Sequence, residues 1–285
     1  MKVLILGANG LIGSSLLKHI ADRNEHELLG TVRDVTVANG LPLKFRNKVI
    51  PGIDALCKST LLNLYKSYKP DVVINCVGIT KHTEKAFTKQ QIIKTNSVLP
   101  HFLSSISADF EARLIHISTD CVFSGKIGGY DEEQVPDCAD LYGKSKALGE
   151  LLEPRDTIIR TSSIGHEWNT KYGLLEWFLS QKKRCFGFTH AIFSGLTSNL
   201  LAQTITDLVL PNHSLAGLYN VGSEPISKYD LLKLIADVYG HNVDVLPKDE
   251  LKINRSLDFS KFAASTGYIA TGWRAQIENM RDLGR

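Results

Sequence analysis

Short apolar runs alternate along the first part of the chain with longer segments whose apolar positions recur at helical spacing. Val3 to Leu6 is such a run, typical of a strand buried on both faces. Similar runs occupy residues 27–32, 48–50, 71–78, 112–117 and 157–160. Helical patterns lie between them at residues 11–22, 55–68 and 89–107. This alternation predicts βαβ units, a doubly wound parallel sheet and a ligand crevice at the carboxyl ends of the strands.

The pattern becomes less regular after about residue 163. Helical segments are predicted at residues 173–183, 198–210, 228–239 and 274–283, and short strands at residues 218–221 and 243–246. We therefore expect an α/β architecture with a Rossmann-type domain over residues 1–163. A smaller mixed α/β cap is expected over residues 164–285, with some segments returning to the first domain. The basic run Lys182–Arg184 is interpreted as a solvated helix end.

Composition narrows the class of protein. The hydrophobic content of 43% and charged content of 22% are those of a globular protein, and a net charge of +3 is too small to indicate nucleic-acid binding. No apolar stretch approaches the roughly 18 residues of a membrane span, and the apolar start of the chain is too short for a signal peptide. Five widely spaced cysteines indicate reduced thiols and a cytoplasmic location. The nine histidines show no metal-ligand spacing, so no metal site is predicted.

A glycine-rich turn follows the first strand. Gly7, Gly10 and Gly13 allow a tight turn, close approach of a pyrophosphate and close packing of helix on strand. The helix that begins near Leu11 offers free N–H groups and a positive dipole end to phosphates. Because a strand precedes these glycines and a helix follows them, they are interpreted as a dinucleotide-binding motif rather than a plain turn.

The end of the second strand predicts which nicotinamide cofactor is bound. Arg33 comes first after the apolar run, and a guanidinium pairs well with the 2′-phosphate of NADPH. Asp34 would face a ribose 2′-hydroxyl if the strand ended one residue later, and Arg33 could also be an ordinary surface residue. We expect NADPH to be preferred and NADH to be tolerated.

A tyrosine and a lysine four residues apart, Tyr142 and Lys146, lie one turn from each other on a predicted helix. An ammonium beside a phenol favours its ionised form, which predicts a lowered pKa for Tyr142 and a role in proton exchange. This pair follows a strand that ends in Ser118-Thr119-Asp120. Two further copies of the spacing, interpreted as amphipathic helix surface, are Tyr65/Lys69 and Tyr229/Lys233.

With these motifs the chain resembles the extended short-chain dehydrogenases/reductases, and most closely the dTDP-4-dehydrorhamnose reductase group. The resemblance runs nearly end to end. Its motifs are Gly7–Gly13, Ser118–Gly125, Tyr130–Glu133 before Pro136, Leu141–Glu150, Ile159–Ser162, Gly217–Val221 and Asn254–Asp258.

The resemblance implies a role for each matching residue. Tyr142 would be the general acid, Lys146 would hold the nicotinamide ribose and keep Tyr142 acidic, and Thr119 would hydrogen-bond the substrate oxygen. The cofactor would be lined at its pyrophosphate by Gly10, Leu11 and Ile12, at its adenine by Asp54 and Ala55, and on its far side by Gly78, Ile79 and Thr80. The sugar would be faced by Asp120, Ser162 and Ser163.

Two positions depart from the family pattern. Cys121 stands where the family usually has tyrosine, and Ser163 where it usually has tryptophan. Both lie on the expected sugar side. They leave the expected mechanism in place and allow a sugar other than dehydrorhamnose.

Three functions compete at this point. The leading hypothesis is an NADPH-dependent reductase of the 4-keto group of a nucleotide-activated deoxysugar, serving polysaccharide or O-antigen synthesis. The second is an epimerase or 4,6-dehydratase of the same superfamily, although Cys121 replaces the glutamate that dehydratases place after the aspartate. The third is a non-catalytic subunit, since a relative regulates methionine adenosyltransferase; intact Thr119, Tyr142 and Lys146 argue against it. The expected partner is a nucleotide sugar, without nucleic acid or membrane, bound by a monomer or homodimer.

Overall fold

The structure is a computed structural model that describes residues 1–150, 153–168 and 172–284, without the side chains of residues 38–40. Its strands, in chain order, are β1 Lys2–Leu6, β2 Glu27–Val32, β3 Val49–Pro51, β4 Val72–Asn75, β5 Arg113–Ile117, β6 Thr157–Arg160, β7 Ser163–Ile164, β8 Arg184–Phe188, β9 Ala191–Phe193, β10 Leu196–Thr197, β11 Gly217–Asn220, β12 Ile226–Ser227, β13 Asp244–Lys248 and β14 Ile253–Asn254.

The helices follow the same numbering. They are α1 Leu11–Arg23, α2 Val35–Gly40, α3 Leu43–Arg46, α4 Lys58–Tyr68, α5 Lys89–Ile93, α6 Leu99–Asp109, α7 Leu141–Leu148, α8 Leu174–Leu179, α9 Ser198–Thr204, α10 Lys228–Tyr239, α11 Ser260–Thr266 and α12 Trp273–Leu283. A π-helical turn, Lys94–Val98, joins α5 to α6, and a second one, Ile205–Val209, extends α9. Short 3₁₀ turns lie at Glu84–Ala86 and Asp120–Val122.

Seven of the described strands form one parallel sheet in the order β11-β6-β5-β4-β1-β2-β3. The chain winds outward from β1 toward β3 and then restarts at β4 on the other side of β1. The carboxyl ends of β1 and β4 therefore flank the switch point at which such sheets bind ligands. The predicted fold class is confirmed.

Alternate residues of β1 are buried on opposite faces of this sheet. Val3 and Ile5 belong to the core beneath α1 and α9, whereas Leu4 and Leu6 belong to the core beneath α4 and α6. Because both faces are covered by helices, the strands have no polar side, which explains their continuous apolar runs.

A separate core holds the cap together. It contains Leu175, Phe178, Ile235, Trp273 and Ile277, contributed by α8, α10 and α12, which pack with the parallel pair β8–β13. The segment at residues 217–220 joins the main sheet beside β6. The boundary at residue 163 stays a prediction.

The interpretation of Lys182–Arg184 as a helix end is wrong, because α8 ends at Leu179 and Arg184 begins β8.

Candidate active site

The glycine loop connects β1 to α1 with the geometry that its sequence predicts. Gly7 has a φ of +79°, which favours glycine, and its carbonyl accepts from Gly10 N at 3.2 Å. A side chain at Gly13 would collide with the Gly7 carbonyl, so α1 lies close against the strand. Helix α1 begins at Leu11. The first-turn N–H groups of Leu11 and Ile12 therefore have no partner within the helix.

This loop fits the pyrophosphate of a dinucleotide. Gly10 is exposed, and a Cβ added there would lie 3.6 Å from the nearest protein atom, an ordinary contact. Packing within the chain therefore does not require glycine at this position, whereas a closely bound phosphate would. Phosphates at this end of a 13-residue helix would meet both its free N–H groups and its positive dipole end.

Strand β2 ends at Val32 as predicted, so Arg33 is the first residue beyond it and is exposed. The neighbouring carboxylate is engaged locally: Asp34 Oδ1 accepts from the Thr36 backbone N–H at 2.8 Å and from its hydroxyl at 2.7 Å. These hydrogen bonds lower the pKa of Asp34. The arrangement leaves the guanidinium rather than the carboxylate available to a ribose substituent.

The remaining cofactor-side residues lie after β3 and β4. Asp54 is exposed and accepts from the Leu56 N–H at 2.9 Å, while Ala55 is buried. Gly78 and Thr80 are exposed on either side of buried Ile79. These positions follow the carboxyl ends of their strands, on the side of the sheet that carries the glycine loop. Their cofactor contacts stay predictions.

Helix α7 carries Tyr142 and Lys146, both buried. Its start is capped by Asp140, which accepts from the Gly143 N–H at 2.9 Å and pairs with Lys81 at 2.8 Å. Gly143 has no room for a side chain, because an added Cβ would collide with the Cys121 carbonyl. The helix therefore packs directly on the turn that follows β5.

That packing brings Tyr142 close to Thr119. Burial raises the pKa of Tyr142, and the Thr119 hydroxyl only partly opposes the shift. This direction is opposite to the one expected from a neighbouring ammonium, because desolvation of the phenolate is the largest cause of the shift. A phenol with a raised pKa stays protonated near neutrality, as a general acid must be before it reacts.

Lys146, one turn further along α7, reaches the end of β5. Its Nζ donates to the Ile117 carbonyl at 2.8 Å and lies 3.5 Å from His116 Nε2. Burial lowers the pKa of Lys146 to about 8, with the carboxylate of Glu150 opposing the shift. Its amine therefore loses its proton much closer to neutrality than that of a free lysine.

The predicted sugar-side residues Asp120 and Cys121 lie in the 3₁₀ turn next to Thr119. Burial raises the pKa of the Asp120 carboxyl, whereas the positive charge of Arg255 lowers it. Burial also raises the pKa of Cys121 to about 12, so its thiol stays neutral. Arg255 is held beside this turn by a 2.8 Å bond from its Nε to the Phe123 carbonyl.

Ser162 and Ser163 lie past the end of β6. Ser163 is part of the short strand β7, which pairs with β10. The Ser162 carbonyl accepts from the Leu196 N–H at 2.9 Å. The buried hydroxyl of Ser163 has no hydrogen-bond partner among the residues that the structure describes. Contact of either residue with a sugar stays a prediction.

Asn96, which the sequence analysis missed, connects the cofactor side to the catalytic helix. Its amide oxygen accepts from the Ile79 N–H at 2.9 Å, and its amide nitrogen donates to the Ile79 carbonyl at 2.9 Å and to the Ser145 hydroxyl at 3.1 Å. The residue lies in the π-helical turn between α5 and α6. Such turns often mark functional sites, but the uninterrupted helical pattern of residues 89–107 does not reveal one.

The other two copies of the tyrosine–lysine spacing lie elsewhere. Tyr65 is fully buried and bonds the Ser107 hydroxyl at 2.9 Å, so its interpretation as helix surface is wrong. Lys69 follows the end of α4 with a φ of +52°. Tyr229 and Lys233 lie on α10, where the Lys233 amine is 5.3 Å from the tyrosine ring centre.

Within the described part of the chain, no three or more His, Cys, Asp or Glu side chains are grouped so that they could hold a metal ion. None of the described helices combines the length and apolar character needed to cross a bilayer.

Comparison with known proteins places this chain in a family. Residues 1–283 match the family described as RmlD substrate binding domain. The chain is 25% identical, over 98% of both sequences, to dTDP-4-dehydrorhamnose reductase of Aggregatibacter actinomycetemcomitans. It is 24% identical to methionine adenosyltransferase 2 subunit beta of Xenopus laevis, over 88% of this chain and 74% of that protein.

A solved structure shows the same fold. It is the dTDP-4-dehydrorhamnose reductase of Bacillus anthracis in complex with NADP, which superposes with a TM-score of 0.81 at 22% identity. The match covers 100% of this chain and 99% of that one.

Proposed function

This chain belongs to the RmlD substrate binding domain family, and from that premise we propose that it is an NADPH-dependent reductase of a nucleotide-activated 4-keto-deoxysugar. The relative from Aggregatibacter and the solved structure from Bacillus carry the name of such a reductase. The product would serve the synthesis of a surface polysaccharide. The sequence motifs implied the same kind of reductase.

One observation carries the proposal. Thr119 and Tyr142 are buried and close to each other past the carboxyl end of β5, and the Lys146 amine donates to the Ile117 carbonyl at the end of that strand. This edge of the sheet also carries the glycine loop. A proton donor and a dinucleotide site at one crevice are what carbonyl reduction requires.

The residues divide the chemistry among them. NADPH, when bound at the glycine loop, supplies the hydride that reduces a keto carbon. The hydroxyls of Thr119 and Tyr142 donate hydrogen bonds to the substrate oxygen, where negative charge develops, and Tyr142 gives it a proton. Lys146 holds the nicotinamide ribose. The hydrogen bonds of Asn96 to Ile79 and Ser145 fix the Gly78–Thr80 loop against α7.

Two alternatives are less well supported. A 4,6-dehydratase of this superfamily places a glutamate after the aspartate, and this chain has Cys121 there. A regulatory subunit is suggested by the relative from Xenopus, but such a role does not require the buried Thr119–Tyr142 pair. The discriminating experiment follows NADPH absorbance with dTDP-, UDP- and GDP-linked 4-keto-6-deoxysugars. Turnover with one of them supports the reductase, and NADPH binding without any turnover supports the subunit.

Arg33→Ala tests cofactor choice. We expect the KM for NADPH to rise by about tenfold or more and the KM for NADH to change little, because a charge-assisted phosphate contact is worth roughly 1.5–3 kcal/mol. Steady-state kinetics with both cofactors measures this. Arg274→Ala, which removes an exposed arginine of α12 ion-paired with Asp237, is the control. Equal losses with both cofactors would show that Arg33 does not read the phosphate.

Cys121→Tyr combined with Ser163→Trp tests sugar choice. Two large rings would take room from a bulky sugar substituent, and a 2-acetamido group is the first candidate. We expect the double variant to raise the KM for the native substrate more than it lowers kcat, since neither side chain moves a proton. Parallel kinetics with 2-acetamido and 2-hydroxy sugars would report the change, and an unaltered preference would remove these positions from the sugar site.

A further inference from the structure

A buried imidazole that the proposed mechanism does not use lies directly behind Lys146. His116 is fully buried in β5, and its Nε2 is 3.5 Å from Lys146 Nζ. On its other side, Nδ1 lies 3.0 Å from the amide nitrogen of Asn75, the residue paired with it on β4. Asn75 is also fully buried. The three side chains form one continuous line of polar contacts across the end of the sheet.

The backbone determines the direction of every bond in this line. The Val77 N–H, which can only donate, bonds Asn75 Oδ1 at 3.1 Å. The amide nitrogen of Asn75 must therefore face His116, and because an NH₂ group only donates, His116 Nδ1 must accept. A neutral imidazole that accepts at Nδ1 carries its proton on Nε2. That N–H bond is directed toward the amine of Lys146.

The direction of this N–H bond determines which protonation state of Lys146 fits beside His116. An ammonium has no lone pair and cannot accept from His116 Nε2–H, whereas a neutral amine can accept from it while still donating to the Ile117 carbonyl. We propose that Asn75 and His116 are positioning residues that hold the Lys146 amine in place and limit its protonation. This role deepens the reductase function proposed above and rests on it.

The other groups around Lys146 do not duplicate this effect. Cys76, at the end of β4, stays a neutral thiol because burial raises its pKa to about 12, and the Tyr142 phenol stays neutral for the same reason. Glu150, two residues past the end of α7, attracts the ammonium but shares its charge with Arg160 and the Ser118 hydroxyl. His101 lies beyond His116 and bonds the Leu148 carbonyl at 2.8 Å.

Two nuclear magnetic resonance measurements test the proposal without any substrate, so they remain informative if the reductase function fails. In ¹⁵N-histidine-labelled full-length protein, His116, assigned through His116→Phe, should carry its proton on Nε2 and remain neutral from pH 6 to pH 9, roughly the range in which histidines and perturbed lysines titrate. A proton on Nδ1 in the wild-type protein would overturn the proposal by itself.

The second measurement titrates Lys146 in protein labelled with ¹³C at the lysine Cε, with Lys146→Arg identifying the resonance. The wild-type pKa is expected near 8. Asn75→Asp preserves the shape and the bond from Val77 but lets the new carboxylate accept from Nδ1, which transfers the imidazole proton to Nδ1. Nε2 can then accept from the ammonium, and the pKa of Lys146 should rise by about one unit or more.

The added carboxylate also attracts the ammonium through space, and the double variant Asn75→Asp/His116→Phe measures that contribution, with His116→Phe as its reference. The proposal requires that Asn75→Asp raise the pKa of Lys146 clearly less in the His116→Phe background than in the wild-type background. A rise of equal size in both backgrounds would mean that charge alone acts and would overturn it.

Discussion

Tyr142→Phe is expected to abolish nearly all reductase activity while leaving cofactor binding intact. The phenol is buried close to Thr119, and its raised pKa keeps it protonated until it donates the proton to the substrate oxygen. Removing a positioned general acid lowers kcat by about 10²–10⁴-fold. Phenylalanine fills nearly the same space, so the helix and the neighbouring cofactor loop should be undisturbed. Single-turnover kinetics and NADPH titration measure the two properties separately.

Tyr65→Phe is the matched control, since Tyr65 has the same spacing to a lysine but lies in the core. Loss of its bond to Ser107 should cost about 1 kcal/mol of stability and leave kcat near the wild-type value. A Tyr142→Phe variant that kept more than about a tenth of wild-type kcat would fall outside the range for a general acid and contradict its assignment.

Arg160→Met is expected to have the largest effect on stability. Arg160 and Glu150 are almost fully buried and joined by a 2.8 Å bond from Nη2 and two 3.1 Å bonds from Nε. Removing the guanidinium leaves a carboxylate buried without its counter-charge, which typically costs about 3–5 kcal/mol. Urea unfolding followed by circular dichroism measures the free energy of unfolding.

The double variant Arg160→Met/Glu150→Met separates lost charge from lost packing. Replacing both partners of a buried pair with apolar side chains is often close to neutral, so it should recover most of the lost free energy. A single variant destabilised by less than about 1 kcal/mol would match an exposed pair and show that this one is not stabilising.

Features that depend on neighbouring residues in the chain were predictable. Adjacent residues are enough to identify the apolar runs, the glycines of the loop and the end of β2 at Val32. Helix α10 was predicted with the bounds that the structure gives it. The position of Thr119 just past β5, with Tyr142 on the next α-helix, followed from the order of strand and helix along the chain.

Features set by distant contacts were not predictable. Strands of two residues, such as β7 and β10, leave no periodic pattern. The position of Asn96 depends on a π-helical turn, and the burial of Tyr65 on the packing of α4 against the sheet. The pKa of Tyr142 was expected to fall and instead rises, because desolvation depends on what covers the side chain and not on the spacing of two residues.

The most direct test of the proposed function follows the hydride itself. The enzyme would be supplied with NADPH deuterated at the transferred position and with the 4-keto-6-deoxysugar nucleotide on which it turns over, and the product examined by proton and deuterium NMR. The account predicts deuterium at C4 of the sugar with a single configuration, in wild-type protein and not in Tyr142→Phe. Deuterium at another carbon, or no transfer to any dTDP-, UDP- or GDP-linked substrate, would contradict it.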